Sequence, residues 1–150
     1  MKKKKIVLSV VAVIITFAFL NLFWYMTTHK LYSQFTKGME KIETYTYRLH
    51  EDEFSYIVSY PSYLHFNTGC LSITNGDDIS SLIIWPNYTK AYEFGVRVPY
   101  KGEFYEINMK SDGTPRNPYD QEIVDENKEV ITELYKRAED RWGEIIFTKN

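Results

Sequence analysis

The chain has 150 residues, 44% of them hydrophobic, with 13 tyrosines, one cysteine and a formal net charge of −2. That length holds one compact domain beside any membrane segment, and not two; a single cysteine excludes an intramolecular disulfide framework. Residues 1–41 carry seven of the 18 lysines and arginines but only one of the 20 acids, so the remainder is acidic, which disfavours nucleic acid as a partner because a phosphate backbone calls for clustered Lys and Arg.

Lys2 to Lys5 stand directly before Ile6 to Met26, 21 residues without a charge. As a helix these span roughly 32 Å, close to the hydrocarbon thickness of a bilayer. Phe23, Trp24 and Tyr25 cluster where an aromatic belt belongs. A cleaved secretory signal has a shorter apolar core, ended by small residues in an A-x-A-like pattern; here Ala12 and Ala18 are not so placed. The reading is an uncleaved anchor. Lys2 to Lys5 outweigh Lys30 and Lys37 beyond the span, so the positive-inside rule puts the N-terminus in the cytoplasm and the body of the protein outside.

Leu31, Phe35, Met39 and Ile42 follow at helical spacing, which predicts that the anchor runs on as an amphipathic stalk. That stalk either docks on its own domain or, pairing with another copy, forms a homo-oligomer seam. The expected organisation is a basic tail over 1–5, a transmembrane anchor over 6–26, a helical stalk over 27–41 and an extracytoplasmic domain over 42–150.

Within the domain, short runs rich in Tyr, Ile, Val, Phe and Thr predict antiparallel strands at Thr44 to His50, Phe54 to Tyr60, Gly69 to Thr74, Ser80 to Trp85, Tyr92 to Val98 and Glu103 to Lys110. Asn75-Gly76, Glu51-Asp52 and Lys101-Gly102 supply turns between neighbours, giving a meander. After Ser111 to Pro115 a helix is expected from an Asn117 N-cap with Pro118 at its first position. Its apolar face holds Ile123, Val130, Leu134, Ala138 and Trp142, with Asn127 completing the spacing, and Gly143 reads as its αL cap. Ile145 to Phe147 reads as a final strand or tether. The fold class is α+β: an N-terminal transmembrane helix continuing into a stalk, then an antiparallel meander packed by one C-terminal amphipathic helix.

No group of residues forms a specific catalytic, cofactor or metal motif. His50 to Glu53 and Asp77-Asp78 read as solvated acidic turns, since no second ligand set accompanies them. Cys70 reads as a small core residue; His65 lies five residues before it, but a thiol–imidazole pair is defined by geometry and by an orienting third group. Asn87-Tyr88-Thr89 matches a glycosylation tripeptide that chance also produces. Tyr60, Tyr63, Trp85, Tyr88 and Tyr100, each beside a proline or a loop, are the candidate binding surface, with core and sheet packing as their ordinary explanation.

A basic start, a long apolar helix running into a domain and a sheet packed on it resemble type IV pilins in architecture alone. The pilin motif has a processing Gly and an early Glu. Ile6 to Met26 holds neither, so no pilin residue or assembly function is carried over. The functional expectation is a bacterial-type, membrane-tethered accessory or interaction domain, non-enzymatic and without cofactor, engaging an envelope protein or a cell-wall component. The alternative is a small cell-surface hydrolase or metal-dependent enzyme built on His50 to Glu53 or on His65 and Cys70.

Overall fold

The structure, a computed structural model, describes every residue except 1, 64, 66, 67, 77, 78, 88–91 and 148–150, and only the backbone of 2, 3, 144 and 145. One helix, α1 (Lys2–Tyr32), is long and apolar enough to cross a membrane. Residues 4–20 of it are all exposed. A 3₁₀ turn (Ser33–Phe35) ends it, and Gly38, at φ 75°, turns the chain into the sheet. The helical stalk expected to residue 41 therefore stops at Tyr32. Glu40–Glu43 is instead a strand, β1, whose four residues are all exposed. An edge strand with no buried face has no alternation to reveal it, and its charged sequence suits a free edge.

Six further strands follow: β2 (Thr46–Glu51), β3 (Phe54–Ser59), β4 (Cys70–Asn75), β5 (Ser81–Pro86), β6 (Tyr92–Tyr100) and β7 (Glu103–Met109). All seven pair antiparallel in chain order as one open sheet. The six expected strands are all present, with ends shifted by one or two residues. Lys101 and Gly102 both take positive φ, as a type I′ hairpin requires. Asn75 shapes the β4–β5 connection by accepting the Ser80 amide on its side-chain oxygen at 2.9 Å.

Strand alternation sends Tyr56, Val58, Leu71, Ile73, Leu82, Ile84, Phe94, Val96, Val98, Ile107 and Met109 to one face, where all are buried. The C-terminal helix covers that face. Asn117 caps its entry as expected, accepting the Tyr119 amide, but the helix is not continuous: α2 (Gln121–Glu126) breaks at Asn127 before α3 (Lys128–Ile146). Asn127 donates its amide both to the Ile123 carbonyl and to the Pro99 carbonyl of β6, each at 3.0 Å. It anchors the break to the sheet. Ile131, Leu134, Ala138, Trp142 and Ile146 form the buried stripe of α3, over β4 and β5. Gly143 lies inside this helix rather than capping it, and 145–146 are helical, not a strand. Burial of Ile146 and the ring of Phe147 against Phe94, with centroids 5.7 Å apart, carry the helix past a residue with poor helix propensity.

The end of α1 belongs to the same core. Tyr32 and Phe35 are fully buried in it, and Leu31 and Met39 pack against it, so three residues of the expected apolar stripe dock on their own domain while the fourth, Ile42, is exposed on β1. Trp142 closes the arrangement. Its indole N–H donates to the Phe35 carbonyl at 3.2 Å, and its ring meets Phe35 and Tyr56 edge to face. Among the described residues no helix covers the other face of the sheet; it carries Ser59, Cys70, Ser72 and Thr74 with half-buried Ile57, Ile83 and Trp85.

Candidate binding site at the junction of anchor and sheet

One end of the sheet, where β2 begins, β3 ends and β4 begins, lies against the last three turns of α1. Aromatic side chains fill the contact. Trp24 is 4% exposed; its ring sits edge-on to Tyr45 and Tyr63, at 6.0 and 5.4 Å, and its N–H donates to the His65 carbonyl at 3.1 Å. The Tyr63 hydroxyl donates to the Asn21 side chain, one turn deeper along the helix. Four residues on from Trp24, Thr28 is 2% exposed, and four further, Tyr32 is wholly buried. Helical spacing therefore gives α1 a protein-facing stripe inside a segment whose composition reads as lipid-facing all round.

Tyr60 is the hub. Its ring is tilted against Tyr32 at 5.3 Å and Tyr47 at 5.5 Å and meets His29 edge-on at 6.4 Å. Burial raises its hydroxyl pKa above the ordinary tyrosine value, with a Thr36 hydrogen bond opposing. Gly69 is needed for close approach rather than for backbone freedom: a Cβ there would stand 2.5 Å from the Tyr32 hydroxyl and 2.7 Å from Pro61.

Between α1 and the β1–β2 hairpin lies a cavity of about 250 Å³, lined by Trp24, Tyr25, Thr28, His29, Lys41, Thr44, Tyr45, Tyr47 and Tyr60. Among the described residues no carboxylate lines it. The Thr28 hydroxyl is buried without a hydrogen-bond partner among the described residues, which is costly unless something else supplies one. Aromatic walls, a lysine amine, an imidazole and hydroxyls suit a ligand with an anionic head.

The five tyrosine and tryptophan candidates fall in different places. Tyr60 and Tyr63 are both at this junction, half-buried and exposed respectively. Trp85 lies on the uncovered sheet face, its six-membered ring laid over Gly95, where a Cβ would meet it at 2.9 Å. Tyr100 is 8% exposed at the opposite end of the sheet and donates its hydroxyl to Glu122 at 2.7 Å. Tyr88 lies outside the described residues. So do Asp77 and Asp78, and of the glycosylation tripeptide only Asn87 is described. Sequence reasoning missed Thr28, His29, Lys41, Tyr45 and Tyr47 as partners of Tyr60; the signal present was the aromatic pair Trp24-Tyr25, read only as a belt.

The chemical candidates are also placed. His50 shares a hydrogen bond with Ser55 at 2.8 Å, while Asp52 pairs with Arg137 at 3.2 Å. Among the described residues no three His, Cys, Asp or Glu side chains gather as a metal site would need. Cys70 sits half-buried on the uncovered face rather than in the helix-covered core, and burial pushes its thiol pKa up. The His65 imidazole donates to the Tyr63 carbonyl at 3.1 Å, and no hydrogen bond joins it to Cys70 among the described residues.

No family model matches this chain, and neither a curated protein nor a solved structure is similar to it.

Proposed function

We propose that this is a single-pass membrane protein, Lys2 to Lys5 inside, whose domain works outside the membrane as a non-enzymatic accessory or interaction module for an envelope protein or wall component. The observation that carries the reading is the burial of Trp24, Thr28, Tyr32 and Phe35 in contacts with the domain. Cleavage behind Met26, as for a signal sequence, would remove Trp24 from that contact. The anchor is a structural part of the domain it holds. Connections 44–45, 60–69 and 87–91, which leave the sheet at the anchor end, contain no Asp or Glu, as suits proximity to an anionic lipid surface.

Against the enzyme reading, a nucleophilic thiol needs a lowered pKa, and burial moves that of Cys70 the other way. The test is in-cell photocrosslinking of the full chain, with the crosslinker at Ile83 on the uncovered sheet face and at Thr132 on the exposed side of α3. A discrete adduct to one envelope protein or to wall material from Ile83 supports the proposal. Absence of any adduct, together with hydrolytic turnover abolished by His65→Ala or Cys70→Ala, overturns it in favour of a surface hydrolase.

A further inference from the structure

We propose that the cavity between α1 and the β1–β2 hairpin holds the headgroup of an anionic phospholipid; this rests on the membrane-spanning reading of α1. Depth comes first. From Lys5 to Trp24 the helix rises about 29 Å, which places Lys5 and Trp24 at the two edges of the hydrocarbon layer. The segment from Trp24 to His29, one wall of the cavity, then lies at headgroup level. Tyr63, bonded to Asn21, reaches about 4.5 Å deeper than Trp24, so the domain is seated in the interface rather than raised above it.

Charge selects the class of lipid. Lys41 and His29 face the cavity without any carboxylate in its lining, an arrangement that attracts a phosphodiester and opposes a choline cation despite the aromatic walls. Thr28 supplies the independent sign of a ligand: its buried hydroxyl has no protein partner among the described residues, and a headgroup oxygen would give it one. Leu22, exposed and three residues before Tyr25 on the same side of the helix, extends the apolar flank along which an acyl chain would lie.

The test uses the full chain in detergent micelles, read by native mass spectrometry with phosphatidylglycerol and phosphatidylcholine at equal concentration. One phosphatidylglycerol is expected to stay bound in preference to phosphatidylcholine, and Lys41→Gln is expected to weaken it about tenfold, the loss of one charge-assisted contact. Lys37→Gln, on an exposed turn whose carbonyl bonds Arg141 and outside the cavity lining, leaves binding unchanged. Thr28→Val separates a ligand role from a structural one: it removes an unpaired buried hydroxyl, so Tm holds or rises while lipid retention falls about fivefold. Equal retention of phosphatidylcholine, insensitivity to Lys41→Gln, or inorganic phosphate binding as tightly as the lipid overturns the proposal. Alkaline extraction of membranes tests the anchor separately: release of the chain refutes the membrane reading, whereas an integral chain that holds no lipid refutes only the site.

Discussion

Two glycines show how closely single atoms are set in this domain. At Gly69 an added Cβ would collide with Tyr32 and Pro61, both buried. Gly69→Ala is therefore expected to cost about 1–3 kcal/mol, the usual range for overpacking, seen as a lower Tm for the full chain in detergent; an unchanged Tm would show that Tyr32 can move aside freely. At Gly95 the same change pushes Trp85 off the sheet. Its emission is expected to shift to longer wavelength while far-ultraviolet dichroism stays constant, and no shift in Gly95→Ala would mean that the ring is not held there. These roles were hidden in the sequence because a glycine's neighbour across a sheet or helix contact is set by tertiary register. Tyr60 and Tyr63 were legible as special through their proline and loop setting. Thr28 was not, since a threonine in an apolar helix ordinarily bonds back to its own backbone, as Thr27 does to Phe23.

Between elements, the contacts are few and directional. Tyr100, Lys101 and Glu122 join the β6–β7 hairpin to α2: the tyrosine hydroxyl and then the lysine hold the Glu122 pKa below its ordinary 4.5. A depressed carboxyl stabilises the fold above its unfolded pKa and loses that contribution as pH falls through the folded value. Tyr100→Phe is accordingly expected to lower stability at neutral pH, with the difference from the parent shrinking as the solution is acidified; a constant difference would remove the linkage. At the other end of the helical layer, Trp142→Phe deletes the donor to the Phe35 carbonyl and leaves that buried oxygen unpaired, for about 1–3 kcal/mol, measured by denaturant unfolding. Strands with one buried face were readable because alternation reports burial directly. β1 was not, being exposed on every residue, and the break at Asn127 was not, because its partner carbonyl lies 28 residues away at Pro99.

On the scale of the whole molecule the sheet has two unlike ends. The α1 end is aromatic, and of the connections there 44–45, 60–69 and 87–91 lack acids while the segment after β7 holds Asp112; the far connections contain Asp52, Glu53, Asp77 and Asp78 in sequence. On the membrane-spanning reading proposed above, such polarity would hold an acidic body away from anionic lipid with its aromatic end in the interface. For the full chain we expect resistance to alkaline extraction, and digestion of a C-terminal tag by protease added outside intact cells, with an N-terminal tag protected. The reverse protection pattern would refute the topology. The apolar segment and its charge bias were plain from composition; that the same helix is half a protein interface at its C-terminal end was not, because lipid and protein ask for the same apolar residues. Trp142 also imposes an order in time. Phe35 leaves the ribosome more than a hundred residues before the indole that closes over its carbonyl, so α1 is made long before its own core can be completed. The fold is thus finished only when the last helix of the chain reaches the first.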